Sequence, residues 1–323
     1  MKFALSPEQE AFAASLDSLL STLDCDTATR AWAGGDHGPG LKIWRRLADQ
    51  GVTALTTPSH RGGLAEADSA EKNNTAATTV DAVLAFEVLG RFCPPGPWTD
   101  SAVLPCLLDD EILASTAAGE TLVSLAFPPH VPFSLDADIA DARFLVDGAS
   151  LRGFTPGTPL TSLDNSRRLF EPVPGDELGP ALDPARAFDL GALLTAAQLL
   201  GAGRRLLEMS VAHAGQRRQY GREIGRFQAI KHLLAEVVTA LELARPLLHG
   251  AAVTADPADV SAAKVACGDA AHLAARTALQ VHGAIGYTAE HPLGLRLTRI
   301  RALTTAWGTP AVHRHRVLAA IAP

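Results

Sequence analysis

The chain has 323 residues, 47% of them hydrophobic, with a net charge of −7 and a pI near 5.9. That is enough apolar material for a sizeable core, and the acidic balance argues against a surface that tracks nucleic-acid phosphates. The four cysteines, Cys25, Cys93, Cys106 and Cys267, form no CxxC pair and no metal-ligand spacing, so neither a disulfide framework nor a metal site is expected.

At the N-terminus MKFALSPEQE turns acidic before any apolar run develops, so it does not read as a signal peptide, and no apolar run reaches the length of a membrane span. A soluble cytoplasmic protein is the expectation. Ser6, followed three residues later by Gln9 and with Pro7 between them, is a capping-box signature for a first helix, on which Phe12, Leu16, Leu19 and Leu20 recur at helical spacing. A second helix is predicted over Leu41–Gln50, and GVTALTTP leaves it as an extended segment. Ala65–Thr79 is rich in Ala, Thr, Asn and Asp and reads as a surface loop. Val80–Phe92 is helical again until Pro94-Pro95-Gly96-Pro97 stops it.

Between Thr121 and Asp183 the texture changes. Short β-compatible pieces, TLVSLAF and ARFLVDG, alternate with Pro and Gly, and a small sheet is expected. From Pro184 onward the pattern is helical, over Ala185–Gln219, Arg226–Ala252, Ala258–Gly283 and a shorter Leu293–Ala306. Apolar residues three and four apart on these segments imply a helical bundle. The fold class is therefore mainly α: an N-terminal helical domain (1–117), a reduced β-domain (118–183) and a C-terminal four-helix bundle (184–323).

Three segments carry chemistry. They are GVTALTTPSHRGGL (Gly51–Leu64), RRQYGREIGRFQAIKH (Arg217–His232) and QVHGAIGYTAEHPLG (Gln280–Gly294). Singly, each has an ordinary structural reading: Gly221 and Gly225 as an interhelical turn, Gln280 and His282 as helix-end residues, Arg217 and Arg218 as a solvated face. Together and in this order they resemble the acyl-CoA dehydrogenase family, whose usual forms are R-x-x-F-G-x-x-I-x-x-F-Q and Q-x-H-G-G-x-G-[YF]-x-x-E-H.

The resemblance implies FAD binding. Arg217 offers a planar fork suited to pyrophosphate oxygens, and the Gln280 amide supplies a donor and an acceptor for an adenine edge. Gly283, Ala284 and Gly286 would let backbone approach the dinucleotide, while Gln219, Tyr220, Ile224, Phe227 and Gln228 would line its adenosine side. In the family these residues largely serve the FAD of a neighbouring subunit.

The resemblance also shows what is missing. Removing the weakly acidic α-proton of an acyl-CoA needs a positioned carboxylate. The family takes it from a Y-E-G-T turn, or from an L-D-L-E-R pattern on the first long C-terminal helix. Here Trp307 and Gly191 occupy those positions, and an indole only donates. Asp189 lies two residues from Gly191, on a different helix face. Glu290, of the recurrent E-H pair, reads as structural. Neither T-E-P-x-x-G-S-D nor W-x-x-N-G is found in the middle region.

This asymmetry resembles the base-lacking subunit of heteromeric, α2β2 acyl-CoA dehydrogenases of actinobacterial steroid side-chain degradation. It implies FAD shared across a subunit interface with a second acyl-CoA dehydrogenase-like chain, and an acyl-CoA substrate held mainly by that partner. Two other readings stay open: an autonomous homomeric enzyme with a non-standard base, and a catalytically silent scaffold on the same fold.

Overall fold

The computed structural model describes residues 4–65 and 77–322. Six helices come first: α1 (Pro7–Ser21), α2 (Cys25–Ala33), α3 (Gly38–Ala48), α4 (Thr79–Phe92), α5 (Trp98–Val103) and α6 (Ile112–Ala117). The Ser6–Gln9 capping box forms as the sequence requires, and Leu16 and Leu20 face the core. Two expectations need correcting. GVTALTTP is not extended but coils into a 3-10 turn at Val52–Ala54, entered through Gly51 at φ 79°. Helix α2 was missed, because its short run CDTATRAWA carries few large apolar residues; Trp32, at 1% exposure, anchors it together with the smaller buried Cys25, Ala28 and Thr29. The loop expected over Ala65–Thr79 lies largely outside the described residues.

The middle region is a five-stranded sheet, in the order β1 (Val123–Ala126), β3 (Ala142–Asp147), β4 (Ser150–Leu160), β5 (Leu169–Pro180), β2 (Ser134–Leu135). Strands β1 and β3 are the pieces read from sequence. The long β4–β5 hairpin was not, since Pro156, Pro159, Pro172 and Pro174 argue against strand. They are tolerated because the register slips at three places along this pair, one of them between Pro156 and Pro159.

The C-terminal half contains α7 (Pro184–Gln216), the short strands β6 (Arg218–Gln219) and β7 (Arg222–Glu223), α8 (Gln228–Thr254), α9 (Pro257–His282), α10 (Leu293–Thr305) and α11 (Pro310–Ile321). Helices α7, α8, α9 and α11 make the bundle, with α9 packed against the other three. Helix α11 had no counterpart among the helices read from sequence, and α7 ends three residues earlier than expected. Helix α4 crosses α7 at glycines: a Cβ at Gly201 would lie 1.8 Å from the Glu87 carbonyl oxygen, and one at Gly90 would lie 2.1 Å from that of Gln198. Backbones in contact leave no room for a side chain, so this joint fixes the N-terminal helices on the bundle. One continuous core runs from Leu16 to Trp307 through α4, α7 and α9. No described helix is long and apolar enough to cross a membrane, and all four cysteines are free.

Candidate cofactor surface and a closed base position

Helix α7 ends where Arg217 turns to extended backbone, at φ −70° and ψ 123°. The chain then makes a two-residue hairpin through Tyr220 (φ 50°) and Gly221 (φ 79°), both left-handed as such a tight turn requires. Glu223 braces the hairpin, pairing with Arg218 at 3.0 Å and Arg226 at 2.6 Å, and Arg222 lies over the Phe227 ring at 4.4 Å. The sequence pattern predicts helix through Gln219 and a cofactor-binding motif here, but no hairpin. Its strands are too short to leave a periodic signal.

The second motif ends α9. Gly283 stops the helix at φ 62° and ψ −139°, a conformation open only to glycine, and a Cβ there would meet nothing within 4 Å. The two motif segments meet over a small core of Ala214, Ile224 and Val281, with Phe227, Ile230 and Leu234 packed beside it. Above this core the His213 and His282 rings stack at 4.4 Å, and His291 stands edge-on to His282 at 5.1 Å. The Ala278 carbonyl accepts from His282 Nδ1 at 2.7 Å. Burial, and then the neighbouring imidazoles, hold His213 and His291 below their ordinary pKa.

The structure thus gathers the predicted residues into one surface, though not all in one way. Arg217, Gln219, Tyr220, Gln228, Gln280 and Ala284 are exposed, and Phe227 and Gly283 are half-buried. Among the described residues, neither the Arg217 guanidinium nor the Gln280 amide has a hydrogen-bonding partner within the chain. Ile224 and Gly286 turn inward instead. Ile224 fills the small core, and a Cβ at Gly286 would come within 2.9 Å of Leu293 and 3.2 Å of His282. The missing side chain at Gly286 therefore serves the chain's own packing. An open glycine edge beside an unpaired guanidinium and an unpaired amide fits the pyrophosphate and purine of a dinucleotide.

The opposite end of α7 is closed. Trp307 is 3% exposed, and a Cβ at Gly191 would lie 2.2 Å from its indole ring. The two positions read from the sequence as alternative base positions are therefore neighbours, and the Trp307 ring fills the space at Gly191. Phe127 stands edge-on to Trp307 at 6.2 Å and to Phe188 at 6.4 Å, while Phe188 stacks on His313 at 5.7 Å.

The turn that carries Trp307, at φ 55°, is held from two sides. His313 Nε2 donates to the Trp307 carbonyl at 2.8 Å, which leaves Nδ1 to accept from the Ser261 hydroxyl at 3.2 Å. Burial pushes His313 down to about 4, so the ring is neutral. Lys264 Nζ donates to the Leu303 carbonyl at 2.8 Å, capping the end of α10, and burial pushes this ammonium down to about 7. Asp189 is tied to Arg316 at 2.6 Å, and Glu290 is exposed.

Next to Trp307 lies a polar pocket that sequence reasoning missed. Asp164 pairs with Arg299 at 2.5 Å, and Ser166 accepts from Arg299 at 2.9 Å, which ties the β4–β5 connection to α10. Arg167 faces the buried Asp100, whose carboxyl is pushed up to about 7 by burial. The pocket, about 20 Å3, has room for roughly one water. The sequence offered Asp164 and Arg167 in one segment, with Asp100 and Arg299 each more than 60 residues away, and only the fold brings these together.

The fold and the surface together define an acyl-CoA dehydrogenase type of protein. Residues 184–322 match the family model described as acyl-CoA dehydrogenase, C-terminal domain. The chain is 29% identical over 324 residues to acyl-CoA dehydrogenase IpdE2 of Mycolicibacterium smegmatis, a match covering 98% of this chain and 100% of that one. Its fold is similar to that of butyryl-CoA dehydrogenase from Megasphaera elsdenii, with TM-score 0.82, 19% identity and full coverage of both chains. It is also similar to the Tcur3481–Tcur3483 steroid ACAD, with TM-score 0.81, 17% identity and 98% of each chain covered. Residues 184–322 thus carry the acyl-CoA dehydrogenase C-terminal domain, and the whole chain has the fold of that family of FAD-binding oxidoreductases.

Proposed function

We propose that this chain is one subunit of a heteromeric acyl-CoA dehydrogenase. In this reading it supplies the adenosine and pyrophosphate wall of an FAD site to a partner subunit that carries the base and the flavin pocket. One observation carries it: the Trp307 indole lies against Gly191, where the resemblance would put a base, while Arg217 and Gln280 are exposed and have no hydrogen-bonding partner among the described residues. A chain that keeps a cofactor-facing surface and gives up its proton acceptor is built to complete another chain's site.

Bound FAD would supply the hydride acceptor for α,β-dehydrogenation of an acyl-CoA thioester. Around it, Arg217 would hold the pyrophosphate, Gln280 the adenine edge, and Gln219, Tyr220, Phe227 and Gln228 the adenosine side. Ile224 and Gly286 would support that wall from beneath. The IpdE2 relative and the fold likeness to a steroid ACAD named for two chains support a steroid-derived acyl group and a two-chain assembly, for which an α2β2 stoichiometry and a cytoplasmic setting are proposed. The division at 117/118 and 183/184 belongs to the same reading: the first two parts position the bundle, and the bundle presents the wall.

The test is co-purification of this chain with the acyl-CoA dehydrogenase-like subunit that associates with it. Flavin should accompany the pair, and Arg217→Ala should lower the flavin content of the pair while leaving this subunit folded. Normal flavin in that variant would remove Arg217 from the site and the reading with it.

A further inference from the structure

The loop that begins at Gly283 and Ala284 continues directly from Gln280 in the proposed wall, yet it is poorly secured. Of residues 283–291 only Gly286 is buried, and Ile285 and Tyr287 are 48% and 76% exposed. Among the described residues, one side chain outside the C-terminal helices reaches this stretch with hydrogen bonds. It is Arg30 on α2, some 260 positions away, whose Nη1 donates to the Ala289 carbonyl and whose Nη2 donates to that of Glu290 at 3.2 Å. Just beyond, Arg296 donates to Asp26, also on α2, at 2.9 Å and to the Pro292 carbonyl at 3.1 Å.

The platform that Arg30 stands on is itself fixed. Trp32 Nε1 donates to the buried Asp136 carboxylate at 3.0 Å, and Thr29 Oγ1 donates to the Cys93 carbonyl at 3.0 Å. Helix α2 is thus locked to the sheet region and to the end of α4. A rigid helix gripping two consecutive carbonyls of an otherwise exposed loop restricts that loop to one arrangement. A loop ordered in advance binds its ligand more tightly, because the ordering cost is already met.

We propose that Arg30 is a positioning residue for FAD: it holds the Gly283–His291 loop in the arrangement that receives the dinucleotide. The inference rests on the cofactor reading above and adds to it a residue from the N-terminal third that no motif contains. Arg30 is solvent-exposed, and exposed pairs contribute little to global stability, so its loss should loosen the loop without unfolding the chain.

The experiment is an FAD titration of the flavin-stripped assembly, comparing the natural sequence with Arg30→Met, Arg30→Lys and Arg217→Ala. Methionine keeps the apolar stem and removes the donors; lysine restores a donor without the fork. Arg30→Met should raise the FAD dissociation constant about tenfold, as loss of a supporting partner commonly does. The thermal midpoint of the stripped protein should stay unchanged, and Arg30→Lys should recover part of the affinity. Unchanged affinity in Arg30→Met, with affinity lost in Arg217→Ala, would overturn the positioning role alone. Unchanged affinity in both would overturn the cofactor reading as well. A weaker affinity matched by a lower thermal midpoint would mark Arg30 as a merely structural residue and overturn the proposal.

Discussion

The two ends of α7 have been put to opposite uses. The helix is about 50 Å long, at about 1.5 Å per residue. Near its start, Gly191 receives the flat face of Trp307 and the space is closed by aromatic rings. At its far end, Arg217 leaves the helix into a hairpin whose polar side chains face solvent. A closed end gains stability from packing; an open end keeps hydrogen-bonding groups unpaired for something outside the chain. The family scaffold supports both, because α7 is held along its length by α4 and α9 and neither end has to support the other.

If the closed end is a packed core and no longer a site, it should behave as one. Trp307→Ala is expected to cost about 3–5 kcal/mol, the usual cost of emptying a buried aromatic position, read from urea unfolding. A loss under about 1 kcal/mol would mean that the ring is loosely held, and the contrast between the two ends would weaken. Gly191→Ala should cost about 1–3 kcal/mol, because the added methyl collides with the indole. That cost should shrink when Trp307 is shortened in the same chain, and a double-mutant cycle reads the coupling directly. Additive effects would show that the two residues are not in contact.

A pH titration sharpens the comparison further. His313 is held at about 4 against an ordinary 6.5, and His213 and His291 are also depressed. With folded-state values below unfolded ones, the unfolded chain binds more protons in the interval between them. The contribution of His313 is therefore full above about pH 6.5 and lost as the pH drops toward about 4, while Asp100, held up at about 7, contributes the opposite slope over much of that interval; the His313 part is read as the difference between the natural sequence and His313→Asn. The same pH profile in His313→Asn as in the natural sequence would refute the buried, neutral ring. The smallest effect belongs to the open end. Arg218→Ala should change stability by under about 1 kcal/mol, since the pair with Glu223 is exposed and Arg226 remains beside the same carboxylate.

Much of this contrast was legible before the fold was known. Spacing gave the long helices, because apolar residues recur on α7, α8 and α9 at the helical period. The motif residues pointed to the exposed segments around Arg217 and Gln280, and Trp307 and Gly191 stood out at the positions where the resemblance implies a base. What was not legible came from contacts distant in sequence. Nothing local shows that Trp307 would rest on Gly191, that Asp164 would find Arg299, or that Gly286 would be consumed by Leu293 and His282. Prolines concealed the β4–β5 hairpin, since a bulged pair accepts residues that a regular ladder rejects. Helices α2 and α11 were missed for a similar reason: short elements are settled by what they pack against, such as Trp32 in the core or His313 under the Trp307 turn.

The central claim is that this chain offers a surface for FAD and no acceptor for the α-proton. It is tested most directly by mixing the purified chain, with and without its associating subunit, with FAD and a steroid-derived acyl-CoA under anaerobic conditions and following the bleaching of the flavin. The account predicts bleaching only when both subunits are present. Flavin reduction by this chain alone would contradict it.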